Sequence, residues 1–447
     1  MHVKAGRGRI FARGEAGFED AVRGSSFNSH ESGRWPDYVH QANDIDDVIE
    51  AVSTARSRNL KISMCSGGHS WSQNHIRDSG MMLDLSRLNS MEIDVVNKTA
   101  IVGPALHGGD FDAALAKHGL FFPVAHAYTV GLGGFLLQGG FGWNCRVVGM
   151  ACESVTAIDV VLADGRLVHA SETENSDLLW AARGAGAGFF GVVVRFYLKL
   201  HDRPKYIGIK TQVFRLRHLE DVLTWADSIK HEVSPKIEFQ IVFNRKAIGI
   251  FSHGLEIAAC VLADSRKEAK ELLRFLDKGP MRKKASLTLP LFGLTLNRIM
   301  KIGEKVLFWP NCRWFTDNAW MKSPIGPALP AIRKIAETQP EAPSHAYWQI
   351  WNPATKERPD MAFSLEGDSY FALYGALPIG RGTPDDETWA TRGAIALQEF
   401  STGIQLGDEN LARRPAPFMA PENFEKLTAI RGKYDPEGRF NSYGHLN

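Results

Sequence analysis

Glycine falls in short, dense blocks in the first half of the chain: Ser66-Gly67-Gly68-His69-Ser70, Gly131-Leu132-Gly133-Gly134, Gly139-Gly140-Phe141-Gly142 and Gly186-Ala187-Gly188-Phe189-Phe190-Gly191. A glycine has no side chain to hold a neighbour off, so such blocks mark close approach of the backbone to another segment or to a ligand. The turn at 66–70 presents successive N–H groups that can converge on an anion such as a pyrophosphate. Taken alone, it could equally join two strands with nothing bound. The block 130–143 is otherwise apolar and can lie flat against a planar ligand, although by itself it reads better as a loop packed on a sheet. The last block spells G-x-G-x-x-G, but a dinucleotide fingerprint follows a strand and opens a helix. Here a helical segment precedes it and a Val-rich strand follows, which argues against a nicotinamide-binding Rossmann enzyme.

At 447 residues the chain exceeds one ordinary core, so two domains are expected. A formal net charge of +2 gives no sign of a nucleic-acid-binding face or a polybasic membrane patch. The stretch Met1-His2-Val3-Lys4 onward has basic residues but no apolar core of a secretory signal, and no apolar run is long enough to span a bilayer. A cytoplasmic location is expected. Five cysteines, an odd number without a C-x-x-C pair, argue against a disulfide framework or a zinc site.

Helical spacing of Ile45, Val48, Ile49 and Val52 after Asn43-Asp44 predicts a capped helix within 38–60. Strands are expected at 61–64 and 81–85, a hairpin about Asn97-Lys98, a helix at 109–118, a strand pair about Asp164-Gly165, a helix at 175–183 and a strand at 190–200. Beyond Asp202-Arg203-Pro204 the character changes to alternating strands (237–243, 256–262, 346–351, 370–377) and amphipathic helices (218–229, 266–276) with few glycines. That pattern suits an antiparallel sheet in an α+β unit. A helix at 421–431 leads into Tyr434-Asp435-Pro436.

Together these blocks resemble the FAD-linked oxidases of the vanillyl-alcohol oxidase and p-cresol methylhydroxylase (PCMH) superfamily, and most of all its berberine bridge enzyme-like branch. The resemblance runs through Arg34-Trp35-Pro36, the 66–70 turn, Thr129-Val130-Gly131-Leu132-Gly133-Gly134 with 139–142, and Ala163-Asp164-Gly165-Arg166. It continues through Asp177-Leu178-Leu179-Trp180-Ala181-Ala182-Arg183-Gly184, Phe190-Gly191-Val192-Val193 and Lys433-Tyr434-Asp435-Pro436. It implies an α+β, two-domain PCMH-type fold: an FAD-binding domain over 1–202, a substrate domain with an antiparallel sheet over 203–410, and a tail over 411–447 that returns to the FAD domain. FAD would be held by Ser66, Gly67, Gly68, His69, Ser70, Thr129, Gly131, Gly133, Gly134, Gly139, Gly142, Val192 and Asn441. His69 takes the place of the family histidine bonded to the flavin 8α-methyl carbon. Bicovalent members carry a cysteine two residues before the T-V-G; Ala127 stands there, so a single covalent link is expected.

Hydride transfer from an alcohol, phenol or amine carbon is usually assisted by a tuned base. The Tyr-x-Asn motif that supplies it in many relatives is replaced by Thr402-Gly403-Ile404. Period-two alternation offers substitutes: His345, Tyr347 and Gln349 share one strand face, Tyr370 and Tyr374 another, Glu238 and Gln240 a third. Such a face could also simply be the solvated one. Tyr347 and His345 are the first candidates for the base, Tyr128 and His126 the second. The aromatic content of the second half suits a flat or apolar substrate. The expected partners are thus a small molecule and dioxygen or another electron acceptor, with oligomeric state left open. A flavin-binding protein without turnover, an oxidative cyclase and a carbohydrate oxidase stand as alternatives.

Overall fold

Two parallel strands need a long crossover between them, and residues 38–84 supply it. In the computed structural model, which describes residues 8–247, 251–355 and 357–444, strand Tyr38–Gln41 leads through helix Ile45–Ser57 to strand Ile62–Cys65. Both strands pair in parallel with Met81–Asp84. The Asp44 carboxylate caps the helix by accepting from the Asp47 N–H. Met81–Asp84 is buried along its whole length, as expected of a central strand covered on both faces. Arg9–Ala12 completes this four-stranded sheet by antiparallel pairing with Tyr38–Gln41.

The hairpin Met91–Asp94/Thr99–Val102 joins Val192–Lys199, Val155–Val161 and Leu167–Ser171 in a five-stranded antiparallel sheet. The block 130–143 is less irregular than its composition suggests. It contains the short helix Leu132–Leu137, which buries Leu132 and Leu136 at helical spacing. After helix Pro421–Tyr434 the chain returns to the first sheet. There Ile62 N–H donates to Arg439 O at 2.8 Å and Asn441 N–H donates to Ile62 O at 2.9 Å. Asp435 turns the chain into place by accepting from the N–H groups of Arg439 and Phe440.

Between these parts lies a nine-stranded antiparallel sheet, whose long strands are Tyr206–Arg215, Phe251–Ala263, Ile237–Ala247, His345–Ile350, Ser369–Pro378 and Cys312–Met321 in spatial order. Alternation sorts their side chains. Ile237, Phe239, Ile241 and Phe243, with Ala346, Trp348, Phe371 and Leu373, pack under helices Leu219–Ile229, Leu329–Glu337 and Pro384–Ala396. Glu238, Gln240 and Asn244, with His345, Gln349 and Tyr370, point the other way and are mostly buried too. That second face is therefore not the solvated one: it closes over the glycine-rich part of the chain. The fold is α+β. Among the described residues no helix is long and apolar enough to cross a membrane.

Candidate active site

The glycine blocks meet at the floor of a cavity of about 930 Å³, near the upper end of the range for small-molecule sites. The end of strand Ile62–Cys65 runs directly into the turn 66–70. A Cβ on Gly67 would stand 2.5 Å from Gly131 N, and one on Gly131 would stand 2.8 Å from Gly67 Cα. The two blocks thus touch backbone to backbone, a contact open only to glycine. Gly68 has φ +68°, and a side chain there would strike Ser25 O. Gly134 differs: it lines the cavity and a Cβ on it would meet no protein atom within 4 Å.

His69 stands on this floor. Its Nε2 is 2.9 Å from Thr129 Oγ1, and its ring stacks on Phe27 at 4.5 Å between centroids. Burial, with the nearby His107 adding to it, pushes its pKa down to about 4, so the imidazole is neutral at physiological pH. Ser66, Gly67, Gly68, Ser70, Gly131, Gly133 and Asn441 line the same cavity, as does Ala127. Cys145 does not; its thiol is buried and receives the Gly142 N–H at 3.1 Å.

Polar side chains of the large sheet form the roof. Tyr347 faces the cavity, with Tyr374 beside it at 6.0 Å between centroids and within hydrogen-bonding reach. The Tyr374 and Tyr370 hydroxyls both donate to Asp408 Oδ2, at 2.8 and 2.6 Å, and the Trp71 indole N–H donates to Oδ1 at 2.8 Å. Asp408 is held there by Asn318, whose amide donates to the backbone oxygens of Gln405 and Asp408. The neighbouring Asp317 is locked by a buried pair with Arg414. Burial, then the Asp408 charge, raises the pKa of all three tyrosines well above the ordinary value. Burial also raises that of Asp408, against the pull of its three donors.

His345 sits differently from Tyr347. Its Nδ1–H donates to Pro343 O at 2.9 Å and its ring lies between Tyr374 and the edge of Phe308. Its Nε2 is buried without a partner, and burial lowers its pKa to about 4. His126 pairs with Glu238 at 2.9 Å beside the cavity.

Several expected residues lie elsewhere. Tyr128 does not reach the cavity: its hydroxyl donates to Asp110 at 2.6 Å and Lys301 covers its ring, which removes it as a base. Gly139 and Gly142 serve protein packing, the first against Phe363 and the second against the Val124 carbonyl. Val192 is sealed in the core under helix Ile45–Ser57, while its neighbour Val193 lines the cavity. Thr129 touches His69 rather than the cavity itself. Asp408 and Trp71, joined by a hydrogen bond at the cavity, have no periodic or motif signal of their own.

Residues 36–171 match the family model for an FAD-binding domain. The chain is 30% identical over 419 residues to the FAD-linked oxidoreductase nodO of Hypoxylon pulicicidum, covering 92% of each chain. It is 31% identical over 429 residues to the FAD-linked oxidoreductase janO of Penicillium janthinellum, covering 94% of this chain and 93% of that one. The chain belongs to the FAD-linked oxidoreductases of the vanillyl-alcohol oxidase/PCMH family. The fold of this FAD-linked oxidoreductase matches the crystal structure of 6-hydroxy-D-nicotine oxidase from Arthrobacter nicotinovorans, with a TM-score of 0.84, 21% identity and 98% of each chain covered. The chain is therefore an enzyme that uses FAD, and the reading as a flavin-binding protein without turnover is set aside. The residues present fit that cofactor: the open face at Gly134 leaves room that a side chain would fill. His75 Nε2, buried without a partner, also borders the cavity beside Arg77 and Ser442.

Proposed function

We propose that this oxidoreductase removes a hydride from a carbon bearing a hydroxyl or amine in a small aromatic, phenolic or secondary-metabolite substrate. Its FAD is held by one covalent bond, through His69, and is reoxidised by dioxygen or another acceptor. FAD supplies the hydride-accepting centre; the chain supplies position, water exclusion and a path for the proton. The observation that carries the reading is the cavity itself, floored by the glycine turn with His69 and roofed by Tyr347, Tyr374 and Asp408.

Tyr347 receives the substrate proton as its own moves to Tyr374 and that of Tyr374 moves to Asp408. No standing phenolate is needed, which suits three tyrosines whose pKa values are raised. A carboxyl whose pKa is raised by burial is a better proton acceptor than an ordinary aspartate. His345 also lines the cavity, but its Nε2 is buried and its ring is packed against Phe308 and Tyr374, which makes it the weaker candidate. The mouth supports an apolar substrate over a bare sugar: Phe292, Ile302, Val306 and Trp309 are exposed and all line the cavity. The test is anaerobic mixing with a panel of phenolic, alkaloid-like and sugar substrates. Bleaching of the yellow flavin by aromatic alcohols or amines is expected; bleaching by sugars alone contradicts the substrate reading. Admitting air then separates an oxidase, which regains colour fast, from a dehydrogenase.

A further inference from the structure

Helix Leu296–Val306 begins at Thr295, whose side chain caps the Arg298 N–H, and its outer surface forms part of the cavity mouth. In its last turn stands Glu304. A carboxylate there opposes the helix dipole, so the position needs a compensating partner. Glu304 Oε1 accepts from Tyr128 N–H at 3.0 Å, from Thr129 N–H at 3.3 Å and from the Thr129 hydroxyl at 3.4 Å. Thr129 Oγ1 is in turn 2.9 Å from His69 Nε2.

The direction of the His69 bond is set by where the Thr129 proton goes. A hydroxyl has one proton, and a carboxylate can only accept. With the Thr129 proton directed to Glu304, Thr129 Oγ1 must accept from His69. The imidazole then carries its proton on Nε2 and its lone pair on Nδ1. Second-partner bonds of this kind commonly decide which ring nitrogen of a histidine is available.

We propose that Glu304, acting through Thr129, is the positioning residue for the flavin link: it fixes His69 as the tautomer that offers Nδ1 to the cofactor and takes up the Nε2 proton when the bond forms. This rests on the reading that His69 is the attachment site. In the attachment, a C–H bond of the flavin methyl group breaks and that proton leaves to solvent, while the Nδ1 lone pair makes the new C–N bond. The Nε2 proton passes to Thr129 Oγ1 as the Thr129 proton passes to Glu304, leaving a neutral imidazole and a protonated carboxyl. The two electrons released by losing hydrogen remain on the cofactor and are taken by dioxygen, which becomes hydrogen peroxide. A residue of the mouth helix thereby controls a bond on the cavity floor.

The experiment measures covalent attachment rather than turnover. Wild type, Thr129→Val, Thr129→Ser, Glu304→Gln and Glu304→Asp are prepared flavin-free and given FAD in air. Flavin bound before denaturation is compared with flavin retained by the acid-precipitated chain over time. Thr129→Val and Glu304→Gln should bind FAD yet attach it at least about ten-fold more slowly, the scale at which losing an orienting partner shows. Thr129→Ser and Glu304→Asp should restore much of the rate. Attachment at the wild-type rate in Thr129→Val or Glu304→Gln overturns the relay alone. So does loss of all FAD binding that the conservative variants fail to rescue, because the role is then structural. A wild-type pellet free of flavin overturns the histidyl link itself, and the relay with it.

Discussion

Asp408 is buried, yet it receives hydrogen bonds from Trp71, Tyr370 and Tyr374. A carboxylate so placed acts best when ionised and poised to take a proton. Because its pKa is raised, kcat/KM should climb with pH through a midpoint above the ordinary aspartate value of about 3.9. Asp408→Asn keeps the shape but cannot accept a proton. It should lower kcat by about 10²-fold and abolish that acid limb. Tyr347→Phe should lose a similar factor, and His345→Gln much less. Equal losses for the two, measured by anaerobic flavin reduction, would shift the base to His345. Of these residues, Tyr347, Tyr370 and Tyr374 were legible from alternation, because a strand shows its faces with period two. Asp408 was not: it lies in the short turn Leu406–Asp408, which the distant Asn318 holds through the backbone oxygens of Gln405 and Asp408.

At the scale of elements, the glycine turns and most of the long strands were legible, but two buried strands were not. Tyr206–Arg215 and Cys312–Met321 are covered on almost every residue, so no polar and apolar rhythm marks them. Glycine density likewise reports close approach without saying what is approached. Gly67 and Gly131 meet each other on the cavity floor, whereas Gly139 and Gly142 meet Phe363 and Val124. Two substitutions separate these roles. Gly67→Ala forces the two blocks apart and should cost about 1–3 kcal/mol, read as a lower Tm. At Gly134 an added Cβ meets no protein atom within 4 Å, and the substitution to make there is Gly134→Val. It should leave the stability of the flavin-free protein within about 1 kcal/mol of wild type while weakening FAD binding.

For the whole molecule, the sheet that carries the tyrosines and the turn that carries His69 come from different parts of the chain, so the site exists only when both are folded. Buried histidines make that assembly sensitive to acid. Burial depresses the pKa of His75 and of His345 from 6.5 to about 4. Between those values the unfolded chain binds more protons than the folded one. Stability is therefore full above about pH 6.5 and drains as pH falls towards 4, by up to about 3 kcal/mol for each histidine. Urea unfolding followed from pH 7 to pH 4.5 should show a falling midpoint, and a flat profile would contradict the burial of both rings. The change of pattern near Pro204, just before the first long strand of the large sheet, was accessible. The way the parts close on each other was not, because nothing local encodes that the polar sheet face is a roof rather than a surface.

The flavin ring should lie between the residue 69 turn and the face bearing Tyr347. A crystal structure of the purified yellow protein tests it most directly. Continuous density is expected from the His69 imidazole to the isoalloxazine, with the Tyr347 hydroxyl across the cavity from the ring. Density for the flavin elsewhere, or a ring in the cavity turned away from both residues, would contradict it.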